Sequence, residues 1–193
     1  MLDTERWKPL ISSHIKILFL LFLIGTTNLF AEKIKGELVM KEANILFLSE
    51  APQETIRGNV TKVFGTANFD TKKVIIQIDM KALNVPNRMM NRHMHENYLE
   101  TEKYPTTTFI GVMKRWDRKS KIVEIEGDLT LHGVTKKNFK IQGSIEELEK
   151  EFLIRSNFEI HLADFKIDVP KLVILKLNEE IQIESEILWK NQE

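Results

Sequence analysis

The stretch that distinguishes this chain is residues 88–109, RMMNRHMHENYLETEKYPTTTF. Strand-like alternation stops there and a helical pattern replaces it. On a helix, Met90, Met94 and Tyr98 lie four residues apart and form one apolar stripe. Pro105 ends the segment, since the residue before a proline is disfavoured in the α conformation. The threonines that follow favour strand again. The segment therefore predicts a short amphipathic helix inserted into a β-protein.

The apolar stripe of this helix has two interpretations. In the first, the helix plugs one end of a sheet structure, since such stripes usually belong to a core. In the second, the helix caps a ligand cavity, and the methionines supply an adaptable apolar lining. The residues of the segment alone leave both interpretations open.

The chain before the helix is predicted to form short strands. Residues 34–40 and 43–49 predict two strands or one bent strand, and residues 74–80 alternate as a half-buried strand. Gly58 and Gly65 are predicted to mark breaks or bulges.

The chain after Pro105 alternates more cleanly, with hairpin turns predicted at residues 117–120 and 133–137 and a solvated turn at the acidic residues 146–149. The total of about eight strands with short links predicts an all-β sandwich or up-and-down barrel. Small residues in the inward rows would leave room inside a barrel, although glycine also marks strand kinks. The predicted inward rows are Phe109, Gly111 and Met113; Val123, Ile125, Gly127, Leu129 and Leu131; Phe139, Ile141, Gly143 and Ile145; Phe152, Ile154, Ser156, Phe158 and Ile160; and Ile181, Ile183, Ser185 and Ile187.

The composition excludes several classes of function. The chain has no cysteine, which excludes disulfides, thiolate metal sites and cysteine nucleophiles. Its 28 basic residues balance its 28 acidic residues, and no dense basic run with interleaved aromatics occurs. Nucleic acid is therefore not expected as a partner.

The N-terminal residues carry an export pattern. Basic residues precede the apolar run at 17–24, ILFLLFLI, and Ala31 supplies the small residue expected before a cleavage site. The run is shorter than the ~20 residues that span a bilayer, which favours a signal peptide over an uncleaved anchor. We expect residues 1–31 to be the signal peptide and residues 32–193 to be one exported, periplasmic domain.

Candidate chemical groups within the helical segment are few. His93 and His95 point about 200° apart on a helix, so they do not chelate one metal ion together, and a hydrogen-bonding role is expected for His93. Arg88 and Arg92 lie one turn apart, and guanidinium groups suit phosphate, although a surface helix with ordinary ion pairs is the simpler interpretation.

No catalytic constellation is predicted. No GxSxG motif occurs, and Asp128 and His132 are expected on the outward face of a strand. We therefore expect neither catalysis nor a cofactor. A metal-assisted enzyme and a packed structural or stress-related protein with a protein partner remain alternatives.

The two longest motifs are NRHMHENYLETEKYPTTTF at 91–109 and LTLHGVT at 129–135. Three shorter segments accompany them along the chain: FLSEAP at 47–52, GTANFD at 65–70 and ADFKID at 163–168. Together they resemble the YceI-like family, exported bacterial proteins with a lipocalin-like antiparallel barrel that bind polyisoprenoid lipids. The commoner family pattern has an aspartate after the arginine and a leucine after the histidine, whereas residues 91–94 here are Asn-Arg-His-Met.

The resemblance implies an eight-stranded antiparallel, lipocalin-like barrel with a short helix between strands, acting as a non-catalytic carrier. It favours the helix as a cap, an isoprenoid or other long-chain lipid as ligand, and the membrane only as the source of that lipid; a homodimer is left open. The head group would meet Arg88, Arg92 and His93. The implied lipid-binding residues are Ile76, Ile78, Met80, Met90, Met94, Tyr98, Phe109, Ile125, Leu129, Phe158, Ile181 and Ile183.

Overall fold

A computed structural model describes residues 36–149, 151–169 and 177–192. The predicted signal peptide, residues 1–31, lies outside the described residues. Ten strands are present: β1 (Glu37–Glu50), β2 (Thr55–Val60), β3 (Val63–Asn68), β4 (Lys73–Asp79), β5 (Leu83–Asn84), β6 (Thr106–Asp117), β7 (Ile122–Leu131), β8 (Val134–Leu148), β9 (Glu151–His161) and β10 (Glu180–Asn191). The helical elements are a 3₁₀ turn (Met80–Ala82), helix α1 (Arg88–His93), a π turn (Met94–Tyr98) and a second 3₁₀ turn (Leu162–Phe165).

Eight of the strands close into an antiparallel barrel. Their order is β10-β9-β8-β7-β6-β4-β3-β1, and pairing of β1 with β10 closes the ring. The predicted eight-stranded barrel is confirmed, and the sandwich alternative is wrong because closure leaves a single sheet. β2 and β5 extend the sheet beside the ring, with β2 paired to the second half of β1.

The first predicted strand pair is one bent strand. β1 runs without interruption along β10, and a bulge between Met40 and Glu42 shifts its register. Its first residues pair with β3, whereas Ile45–Glu50 pair with β2. The bend therefore lets β1 pair with both β3 and β2 along the same edge.

The predicted breaks at Gly58 and Gly65 are wrong, because both glycines lie inside paired strands. A Cβ atom at Gly58 would lie 2.2 Å from Phe47 Cζ and 2.5 Å from the Asn84 carbonyl oxygen. Glycine is required there for close approach of β1 and β5 to β2.

The acidic turn predicted at 146–149 is also wrong, since β8 continues through Leu148. Arg155 Nη1 donates to Glu146 Oε2 (2.6 Å), and Arg118 Nε donates to Glu147 Oε2 (2.9 Å). Glu146 and Glu147 are both exposed and each pairs with an arginine, which offsets the repulsion between neighbouring carboxylates, so a charged run can remain in the ladder.

Aromatic rings gather at the end of the barrel that holds the β3–β4, β6–β7 and β8–β9 turns. The Phe69 and Trp116 rings meet edge to face at 4.9 Å, and Trp116 meets Phe152 at 5.4 Å. The β4–β6 connection, with α1, lies at the opposite end. Within the described residues, no helix has the length and apolar character needed to span a bilayer.

Candidate ligand-binding cavity

The barrel holds a cavity of about 860 Å³ with a predominantly apolar lining. This volume falls in the range of small-molecule sites, about 300–1,000 Å³. All twelve residues that the resemblance implies to be lipid-binding line it. They come from β4 (Ile76, Ile78), the first 3₁₀ turn (Met80), the α1 and π segment (Met90, Met94, Tyr98), β6 (Phe109), β7 (Ile125, Leu129), β9 (Phe158) and β10 (Ile181, Ile183).

The helical segment covers the cavity rather than filling it. Asn87 caps α1, since its Oδ1 accepts hydrogen bonds from the N–H groups of Met89 (3.0 Å) and Met90 (3.1 Å). The π turn then carries the predicted stripe, and Met94 and Tyr98 contact the same cavity as Met90. The helix is therefore a cap over open volume, and the plug interpretation is wrong.

Asn91 and His95 tie this cap to β5. The Val85 N–H donates to Asn91 Oδ1 at 2.9 Å. His95 Nε2 donates to the Leu83 carbonyl at 3.0 Å, because a carbonyl can only accept, and Nδ1 then accepts from the Thr101 hydroxyl at 3.0 Å. His95 therefore has a structural role, because it hydrogen-bonds a backbone carbonyl on the free edge of the two-residue strand β5.

Of the three predicted head-group residues, one lies at the cavity and two do not. His93 is exposed, borders the cavity and accepts a 2.7 Å hydrogen bond from Asn97 Nδ2, which confirms its predicted hydrogen-bonding role. Arg88 and Arg92 are exposed and do not line the cavity. Within residues 36–149, 151–169 and 177–192, no three histidine or carboxylate side chains cluster as a metal site.

His132 was expected on an outward strand face, and that prediction is wrong. β7 ends at Leu131, and His132 begins a turn with φ of +51°. Its side chain is 10% exposed, with Nε2 at 2.9 Å from Glu100 Oε2 and Nδ1 at 3.2 Å from the Phe165 carbonyl oxygen. The Tyr104 ring lies 4.4 Å away. His132 therefore joins the β7–β8 turn, the loop after the cap and the second 3₁₀ turn.

The small residues of the inward rows divide into two groups. Gly111 and Gly127 pair directly and are absent from the cavity wall; a Cβ at Gly127 would lie 2.4 Å from Gly111 Cα. They permit close strand approach. Gly143, Ser156 and Ser185 do line the cavity, as the alternation of their strands predicts.

Several lining residues were not predicted, mainly because they come from β1, β2 and the connections. Their positions depend on how β1 is shared between β2, β3 and β10, which alternation does not reveal. The continuous apolar run at residues 45–48 was the available signal. These residues include Ile45, Phe47, Ile56, Val60, Leu83, Val85, Leu162, Ile167 and Leu177.

Comparison with known proteins gives one family. The model of the YceI-like domain matches residues 31–188. A UPF0312 protein of Vibrio cholerae is 29% identical over 87 residues, which cover 42% of this chain and 46% of the relative. Protein YceI of Escherichia coli O157:H7 is 35% identical over 78 residues, covering 37% and 40% of the two chains. The chain thus spans less than half the length of the curated relatives it matches.

Solved structures show the same barrel. A polyisoprenoid binding domain from Saccharophagus degradans superposes with a TM-score of 0.69 at 15% identity, covering 82% of this chain and all of that domain. BcnA of Burkholderia cenocepacia gives 0.66 at 14% identity, covering 76% and 95%. At these identities the likeness shows the fold alone.

Proposed function

Because this chain belongs to the YceI-like family, we propose that it is an exported carrier that holds a polyisoprenoid-type amphiphile in the lumen of its barrel. The observation that supports this most directly is the apolar cavity of about 860 Å³ beneath a methionine-bearing cap. Each 100 Å² of ligand hydrocarbon removed from water contributes about 2.5 kcal/mol. A long apolar chain is the ligand that such a wall stabilises best.

The polar groups of the lumen support a carrier rather than an enzyme. The Ser49 hydroxyl accepts from the Asn178 N–H (2.8 Å), and the Ser156 and Ser185 hydroxyls bond each other (2.6 Å). His93 pairs with Asn97. A nucleophilic hydroxyl needs a base within about 3 Å, and these hydroxyls have none among the residues that the structure describes. The alternative of a packed, purely structural barrel does not account for the open volume.

A polar or anionic head group would remain at the end of the barrel that carries the helical cap, which we call the mouth. His93 borders the cavity, and Arg88 and Arg92 lie on the same short helix with exposed guanidinium groups. Exposed guanidinium groups bind phosphate or carboxylate without the cost of burying a charge. The arginines would therefore contact a head group that projects out of the barrel.

Lipid analysis of protein purified from the periplasm tests the carrier function. Native mass spectrometry and organic extraction of the wild-type protein are expected to recover a long-chain lipid at near-stoichiometric amount. The variant Ile183→Trp adds side-chain volume at the cavity wall, so it should no longer retain this lipid. Ile110→Trp is the control, since Ile110 is 49% exposed on the outer surface. Recovery of no lipid from wild type, or equal recovery from both variants, would contradict the proposal.

Export is tested separately. Cell fractionation should place the protein in the periplasm, and N-terminal sequencing should begin at Glu32. Protein that stays in the cytoplasm with residues 1–31 attached would contradict export and leave the lipid measurement intact.

A further inference from the structure

The wall of the cavity carries a band of small and polar side chains far from the mouth. Ser156 on β9 and Ser185 on β10 are direct cross-strand partners, and Gly143 on β8 is the next partner in the same row. Apolar residues flank the row, Val123 beside Gly143 and Ile45 beside Ser185. The wall therefore changes from bulky hydrocarbon to two hydroxyls and a glycine at one level.

The two hydroxyls do not satisfy each other fully. Ser156 Oγ and Ser185 Oγ lie 2.6 Å apart, so one hydroxyl donates to the other and the second proton has no partner in the pair. Among the residues that the structure describes, neither hydroxyl has another hydrogen bond. Ser185 is 7% exposed. A buried O–H proton without an acceptor costs up to about 1–3 kcal/mol, so the pair is suited to an acceptor from the cavity.

The depth of the pair identifies which part of a ligand reaches it. Ser185 lies five residues into β10, which begins at Glu180 at the mouth end. At about 3.3 Å per residue, this is about 17 Å along the strand. A head group held at His93 does not extend that far. The acceptor must belong to the part of the ligand that is inside the lumen.

The charge of the lining identifies the chemical class of that acceptor. Among the lining residues that the structure describes, Glu54 and His93 are the acidic and the basic side chains. Glu54 follows the β1–β2 turn and His93 lies on α1, so both belong to the mouth end. No cation among the described lining residues lies at the level of the serines. An anion buried there would face a large desolvation cost, whereas a neutral carbonyl or hydroxyl oxygen would not.

We propose that Ser156 and Ser185 form a hydrogen-bonding subsite for a neutral oxygen carried by a long-chain ligand inside the lumen. This inference rests on the proposed carrier function and narrows its ligand class. Pure hydrocarbon chains leave the hydroxyl pair without a partner. Chains with a carbonyl or hydroxyl group at this depth satisfy it.

Competitive displacement of 1-anilinonaphthalene-8-sulfonate from delipidated protein tests the subsite, with 1-hexadecanol, methyl palmitate and hexadecane as probes. Wild type is expected to bind the alcohol and the ester more tightly than the alkane. The double variant Ser156→Ala/Ser185→Ala should weaken binding of the two oxygenated probes by about 2- to 10-fold, the value of one hydrogen bond, and leave the alkane unchanged. Ser144→Ala, on the exposed outer face of β8, is the matched control.

Each outcome has a distinct meaning. Equal weakening for all three probes, or none, overturns the subsite and leaves the carrier function standing, since the serines would then act only on wall structure or hold only water. If wild type binds none of the probes, both proposals fail. Ser185→Thr keeps a hydroxyl and should retain the preference for oxygenated probes. The single alanine variants give the same comparison if the double variant does not fold.

Discussion

His132→Ala is expected to destabilise the mouth end of the barrel more than any other histidine substitution in residues 36–149, 151–169 and 177–192. The substitution removes a ring that is 10% exposed and contacts three separate segments. The bond to the Phe165 carbonyl is worth about 1 kcal/mol, and its loss leaves an acceptor on a residue that is 0% exposed.

The other contacts of His132 raise this value. The bond to Glu100 adds about 0.5–1 kcal/mol, discounted because that carboxylate is 41% exposed. The edge contact with Tyr104 adds about 1 kcal/mol. The sum is a loss of about 2–3 kcal/mol in the free energy of unfolding. For a chain of this length each kcal/mol lowers the Tm by about 2–4 °C, so a decrease of about 5–10 °C is expected.

Urea unfolding followed by circular dichroism measures this loss. His161→Ala is the matched control, because His161 is 49% exposed and meets Glu180 only at 3.5 Å. The control should stay within about 0.5 kcal/mol of wild type. Equal stability of the two variants would refute the assignment of His132 as the residue that joins the three segments.

Two further changes probe particular backbone and charge effects. Gly133→Ala should cost about 2–4 kcal/mol in urea unfolding, because Gly133 has φ of +72° and a Cβ there would lie 2.6 Å from Tyr104 Cε1; an unchanged midpoint would contradict this. Asp117 accepts hydrogen bonds from Ser120 and Arg115, which hold the pKa of its carboxyl well below the ordinary value. Its folded-state pKa is lower than its unfolded-state pKa of about 3.9, so its stabilising effect is present above that pH and is lost as the pH falls through the folded value. Asp117→Asn should therefore make unfolding less sensitive to acid between pH 7 and pH 2, and identical pH profiles would contradict the role of the carboxylate.

Strands β4 and β6 to β10 and their inward rows were predictable because side chains alternate strictly along a strand. Once a residue such as Ile125 is known to face inward, every second neighbour on the strand does so until a bulge intervenes. The stripe of Met90, Met94 and Tyr98 was predictable for the same kind of reason, since a helix brings residues four apart to one side. These are local rules, and all twelve predicted lumen residues line the cavity.

Closure and polar partners were not predictable from such rules. β1 meets β10 more than 130 residues later, and His132 meets Phe165 and Glu100 through a turn whose φ reverses the expected direction of its side chain. A run of carboxylates also predicts a turn when the arginines that pair with it are not known. Residues 146–148 remained in β8 because of such partners.

The sequence by itself therefore determined antiparallel strands, their inward rows and a short amphipathic helix between them, because each depends on the periodicity of neighbouring residues. Only the tertiary structure decided that the cap covers open volume, that His132 joins three segments and that Ser156 faces Ser185 across two strands. Those features depend on register and closure, which bring together residues far apart in the chain. A side chain's partner across a barrel is a property of the whole ring, whereas its direction along a strand is a property of its own segment.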